Sequence, residues 1–171
     1  MKARTIIPAA FLCATVSFLN AARQLPAPYT AVEVDRLVAA PGVAFPTDYQ
    51  GALADDIARE ISLAFPAVVI VRQGDPAPYG RALLRISGVV TRFQPGNRMK
   101  RQLIGLGAGA TVVETQVWFI DAASGQVLLN RQIKGVTWTG IAGGDSHAAG
   151  DSVAKKLTKI CNAAHLVASN E

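Results

Sequence analysis

Leu83-Leu84-Arg85-Ile86-Ser87-Gly88-Val89-Val90-Thr91-Arg92-Phe93 is the stretch that decides the fold class. Leu84, Ile86 and Val90 fall on one side of an extended chain, and Arg85, Ser87 and Thr91 on the other. A period of two predicts a strand. One polar side means a sheet with one face in water, which favours antiparallel neighbours.

The chain on either side supplies those neighbours. Downstream, Val112 to Asp121 and Val127 to Trp138 read as two more strands. They are joined by Asp121-Ala122-Ala123-Ser124-Gly125, a tight hairpin with Gly125 placed for positive φ. Upstream, Thr30 to Val38 reads as a first strand, with Val32 and Val34 on one face and Glu33 and Asp35 on the other. Ala67 to Val71 is a short apolar run suited to a sheet centre.

Two segments carry the helical period instead. Thr47 and Gln50 have the spacing of a capping box, followed by Leu53, Ile57, Ile61 and Ala64, and Pro66 ends the pattern. Asp55, Asp56, Arg59 and Glu60 form its solvated face. Near the C-terminus, Asp151 or Ser152 is expected to cap a helix. Its apolar stripe is Val153, Leu157, Ile160, Cys161 and Ala164, with Lys155, Lys156 and Lys159 outside. The order β-α-β-β-β-β-α predicts an α+β domain of two layers. Its sheet is a mixed or mostly antiparallel one of five strands, carrying two helices.

The N-terminus reads as an export signal. Lys2 and Arg4 precede an uncharged, mainly apolar run from Thr5 to Leu19, then Asn20-Ala21-Ala22. Residues 1–22 are assigned to the signal and 23–171 to one domain. Cys13 lies inside the apolar run, after Leu12 and before Ala14 to Leu19, so it offers no usable lipid-attachment site. The expected location is periplasmic or secreted, with no transmembrane span in the mature chain. Cleavage leaves Cys161 as the sole cysteine and therefore no internal disulfide. It also lowers the net charge of +5 to +3. That is far from the basic stripe of a nucleic-acid binder, so no nucleic-acid partner is expected.

No catalytic motif is complete. Gly105-x-Gly107-x-x-Ala110 matches a loose dinucleotide fingerprint but leads into a strand, where the motif needs a helix N-terminus. No cofactor is expected. Asp145-Ser146-His147 holds the residue types of a hydrolase triad without the geometry that adjacency cannot supply. Cys161 and His165, four apart on the last helix, would share a face. They could serve as a nucleophile and its base, or as two ligands of a metal that lacks a third. Cys161 nevertheless lies on the apolar stripe, where a thiol packs as a small hydrophobe. The enzyme alternatives are thus Cys161 with His165, or Ser146 with His147, and neither is preferred. Trp118 and Phe119 point to opposite faces of their strand, so at least one is core. Trp118, Phe119 and Trp138 are the aromatic contact candidates.

The segment 95–111 is the most unusual. Pro95-Gly96-Asn97-Arg98 is followed by Lys100, Arg101 and Gly105-Leu106-Gly107-Ala108-Gly109. With the strand before it and Asp121 to Leu128 after it, it resembles the bacterial domain-of-unknown-function family numbered 4410. The resemblance implies an envelope protein, often a lipoprotein, with no established catalytic residue. A binding surface is expected at Arg92, Arg98, Lys100, Arg101, Gly105, Gly107 and Gly109, facing an envelope protein or a cell-wall polymer. A small-ligand carrier using the sheet as a platform is a further alternative. The oligomeric state is not legible in the sequence.

Overall fold

The protein is described by a computed structural model covering residues 28–96, 110–137 and 148–168. The export segment, Arg98 to Gly109, Trp138 and Asp145 to His147 lie outside the described residues. The elements are β1 (Ala31–Val34), β2 (Val38–Ala39), α1 (Thr47–Ala64), β3 (Val69–Val71), β4 (Leu83–Gln94), β5 (Thr111–Asp121), β6 (Val127–Thr137) and α2 (Ala148–Ala163). One mixed sheet has the order β3-β1-β4-β5-β6, with β2 also pairing β4. β1 is parallel to both β3 and β4, while β4, β5 and β6 are antiparallel. The class is α+β, as expected. No helix among the described residues is long and apolar enough to cross a membrane.

Both helices lie on one face of the sheet. Leu53, Ile57 and Ile61 of α1 and Val153, Leu157 and Cys161 of α2 bury against Leu84, Ile86, Val90, Val113, Val117 and Phe119. These are the residues that alternation assigned to one side of each strand. α2 settles on β6 at Gly135. A Cβ built there would run into the Ala149 carbonyl and lie 2.6 Å from Val153 Cγ2. Glycine is required at this place by close approach of a helix, not by a turn.

Four local expectations are corrected. The strand expected over 30–38 is two strands, because Leu37, not Arg36, enters the core. Val34 pairs Ile86 and Val38 pairs Val89, so β1–β2 holds one more residue than the facing stretch of β4 and the phase shifts. The run at 67–71 forms an edge strand with Val69 exposed, not a sheet centre. The capping box does not form: Pro46 is the N-cap, no side chain caps α1, and the Gln50 amide donates to the Phe45 carbonyl at 3.3 Å. At α2 the helix already runs from Ala148, so Asp151 sits in its first turn and pairs instead with Arg59 of α1 at 2.6 Å.

The hairpin after β5 is as expected. Gly125 has φ +70°, its N–H donates to the Asp121 carbonyl at 2.8 Å, and Ser124 Oγ donates to Asp121 Oδ2 at 2.6 Å. The two ends of the domain are laced together. Tyr29 N–H donates to the Leu166 carbonyl at 2.8 Å and Ala168 N–H to the Tyr29 carbonyl at 3.0 Å. The Tyr29 hydroxyl is buried without a hydrogen-bond partner, and burial together with the Asp121 charge pushes its pKa up to about 12.

Gly135→Ala is expected to destabilise the domain by about 2 kcal/mol, the cost of overpacking a close helix–strand contact. A denaturant titration would show this as a lower midpoint. An unchanged midpoint would mean that α2 is not seated on β6 as described.

Candidate functional site

The face of the sheet turned away from the helices is open to water. Its centre holds Ser87, Trp118 and Asn130, paired across β4, β5 and β6. Trp118 is half-buried and Phe119 is fully buried, so Trp118 is the outward aromatic of the pair. Gln116 Nε2 donates to Asn130 Oδ1 beside it.

Charges flank this centre on two sides. Toward the Gln94 end of β4, Arg92 lies 3.5 Å from Glu114 and donates to Gln94 Oε1 at 3.1 Å, while Lys134 lies 3.4 Å from the same Glu114 oxygen. Arg92, one of the expected binding residues, is therefore already paired. On β1, Glu33 is only 2% exposed although it alternates with apolar residues. Its carboxylate accepts from Arg85 Nε at 2.8 Å and from Gly74 N–H at 3.0 Å. The Glu33 bond raises the Arg85 pKa. Next to it, desolvation and the Glu33 charge raise the Asp35 pKa, partly offset by a hydrogen bond with Ser87 and by the Arg85 charge. The sequence placed Glu33 and Asp35 on the face opposite Val32 and Val34. It could not show that Arg85, 52 residues away, closes over Glu33.

The ends of the segment 95–111 and of a second glycine-rich stretch, which holds Gly140, Gly143, Gly144 and Gly150, meet at one end of the sheet. β4 finishes there at Gln94, β5 begins at Thr111 opposite Thr137 of β6, and Gly96 N–H donates to Thr111 Oγ1 at 3.0 Å. The first turns of α1 and α2 lie at the same end, because α1 follows the β1–β2 run and α2 follows β6. Pro28 and Ala168 mark the opposite end. Arg98, Lys100, Arg101, Gly105, Gly107 and Gly109 belong to a segment outside the described residues, whose two attachment points are thus fixed.

Cys161 and His165 do not form a pair. The helix ends at Ala163, and His165 sits beyond it, exposed, at φ +49°. Cys161 is buried among apolar side chains, and burial pushes its pKa up to about 12. Among the described residues no group of three His, Cys, Asp or Glu side chains could hold a metal ion.

Two outcomes are expected from this geometry. Arg85→Ala leaves the Glu33 carboxylate buried and unpaired, whereas Glu33→Ala leaves the half-exposed Arg85 free to turn into water. Arg85→Ala should therefore cost more, on the order of 3 kcal/mol, in chemical denaturation of the two variants. Equal costs would contradict the buried position of Glu33. Cys161 in native protein should resist iodoacetamide at neutral pH and react at full rate only once unfolded, since the thiolate is the nucleophile. Rapid labelling of the folded chain would contradict its burial.

No curated protein matches the sequence. Two solved structures of the PelC dodecamer from Paraburkholderia phytofirmans are similar in fold. One, of a single-substitution variant, is 18% identical over 78% of this chain and 88% of that chain, with a TM-score of 0.53. The other is 17% identical over 84% and 90%, also with a TM-score of 0.53. A minor lipoprotein from Acinetobacter baumannii shows a looser likeness, 11% identical over 81% of this chain and 97% of that chain, with a TM-score of 0.44. The model of the domain of unknown function DUF4410 matches residues 46–140, more than half of the chain, and the chain belongs to that family.

Proposed function

We propose that this is an exported, non-enzymatic envelope protein that binds a protein partner or an envelope polymer through its basic, glycine-rich end. The observation that carries the reading is topological. The described chain enters and leaves both glycine-rich segments, 95–111 and 140–150, at one end of the sheet, and Pro28 and Ala168 lie at the other. β4 alone, with 12 residues, separates the two ends by about 40 Å. A domain held to an envelope surface by its N-terminal side would present the glycine-rich end outward.

Electrostatics favour the same end. Arg98, Lys100 and Arg101 are concentrated in one segment. Both helices turn their N-terminal dipole ends toward the end of the sheet from which that segment leaves, although Asp48 and Asp151 in their first turns offset part of that field. The partner is accordingly an anionic or mixed polar surface. The absence of an enzymatic role is supported by the separation of Cys161 from His165. The Ser146 and His147 alternative falls outside the described residues.

Replacing Arg98, Lys100 and Arg101 together by Ala should weaken association with isolated envelope fractions at least tenfold, and the loss should shrink as salt is raised. Co-sedimentation with the folded variant, checked by circular dichroism, measures this. Association equal to the parent chain would overturn the assignment of binding to this segment.

A further inference from the structure

β6 is the long edge of the sheet. It runs for 11 residues, and among the described residues no strand pairs with its outer side. The opposite edge, β3, has 3 residues. An antiparallel strand turns alternate residues toward its partner and away from it. The Ile133 carbonyl lies on the β5 side, where Thr115 Oγ1 donates to it at 3.4 Å. Asn130, Gln132 and Lys134 therefore present their backbone N–H and C=O groups outward. The register with β5 is unbroken from Leu129 to Thr137, and β6 contains no proline. Such an edge is a template for a further strand.

The outward row is lined by cations. Arg131 Nη1 donates to the Asn130 carbonyl at 2.9 Å, and Lys156 Nζ of α2 donates to the Lys134 carbonyl at 2.5 Å. Both side chains are exposed, as is Lys159 on the next turn of α2. None of the three forms an ion pair among the described residues. Lys134 shares the single carboxylate of Glu114 with Arg92, which leaves a positive balance there as well. The one acidic residue on β6 and α2, Asp151, is engaged by Arg59 of α1.

Edge and charge together select the occupant. Only a polypeptide supplies N–H and C=O groups at the repeat of the outward row. The unpaired cations ask for carboxylates on it. A second copy of this chain is a poor fit. Paired antiparallel about Gln132, it would set Asn130 against Lys134 and gather Arg131, Lys134 and Lys156 of both copies along one seam, where like charges destabilise.

We propose that β6 is a docking edge for an extended acidic segment of a partner protein, which adds to the sheet as a further strand. Its N–H groups take the outward carbonyls of Asn130, Gln132 and Lys134. Arg131 and Lys156 turn from those carbonyls to carboxylates on the helix side of the added strand, with Lys159 beside them. The edge is distinct from the basic glycine-rich end and does not depend on it.

Backbone amide NMR of the mature chain, titrated with an end-capped (Thr-Glu)4 peptide, tests this. Saturable shifts are expected at Asn130, Gln132 and Lys134, with (Thr-Lys)4 binding about tenfold more weakly or not at all. N-methylation of every Thr, or of every Glu, keeps the charge and strips the N–H groups from one edge of the peptide. One of these two forms should lose binding. Gln132→Pro removes an outward N–H at an edge position, where proline is tolerated, and should weaken binding about tenfold. Arg131→Gln combined with Lys156→Gln should weaken it by a similar factor. Each variant is first shown to unfold cooperatively; should Gln132→Pro fail to fold, the methylated peptides carry the test. The triple change at Arg98, Lys100 and Arg101 should leave peptide affinity unchanged. The proposal is overturned if (Thr-Glu)4 leaves the β6 amides unshifted, or if both methylated forms bind like the parent peptide, which would mean attraction by charge alone. It is equally overturned if (Thr-Lys)4 binds as tightly, if the glutamine pair binds like the parent chain, or if the triple change abolishes binding.

Discussion

Two helices cover one face of this sheet, and the rest of the structure follows from that constraint. Strands β4, β5 and β6 send every second side chain under α1 and α2, and those side chains make the core. Such burial stabilises by roughly 25 cal/mol per Å² of apolar surface. It fixes the register as well, because a one-residue slip would bring the polar set inside. Gly135 lets α2 come close enough to close the layer, and the Arg59–Asp151 pair ties α2 to α1 at the outer surface. That pair is solvent-exposed and contributes little; the packing beneath it holds the helices together.

β1 is the exception to a sheet with one polar face. It lies between β3 and β4, all four of its residues are buried, and one of them is Glu33. A carboxylate there is tolerated because Arg85 Nε and the Gly74 N–H both reach it. The same arrangement orders the turn after β3, since Gly74 donates from within it. Asp35, one step along, bears the remaining strain: its carboxyl is held above the usual carboxylate range by desolvation and by Glu33. Its ionisation at neutral pH is thus unfavourable to the fold, and stability from this group falls as pH rises through its raised folded-state pKa.

Much of this was legible in the sequence. The period of two in 83–93 and the period of 3.6 in 47–64 and 148–163 are local properties, and local properties place elements and faces correctly. What failed depended on distant or terminal detail. Whether 67–71 is a central or an edge strand is decided by which strands it pairs with, and among the described residues only β1 pairs with it. The burial of Glu33 depends on a partner 52 residues away. The Cys161–His165 spacing implies a shared face only while the helix continues, and it stops at Ala163. The capping box fails by one residue: Pro46 holds the cap position, which leaves Thr47 inside the helix. Of the expected binding residues, Arg92 alone is described, and its partner Glu114 stands opposite it on β5 through a register that the sequence pattern does not specify.

The division of the molecule bears on how it can work. Its core is built from the helix-facing side, so substitutions on the open face change contacts with water more than contacts that fold the chain. The flanking charges of that face are paired across adjacent strands, Arg92 and Lys134 with the one carboxylate of Glu114 and Arg85 with Glu33, and these cross-strand pairs reinforce the register. The indole of Trp118 is half-buried between Ser87 and Asn130, with Val89 and Ile120 one row to either side. Apolar side chains also stand in water at Leu63 and Tyr79, so exposure of one such group is by itself no mark of a contact; what sets the open face apart is that it can change while the helix-facing core stays as it is.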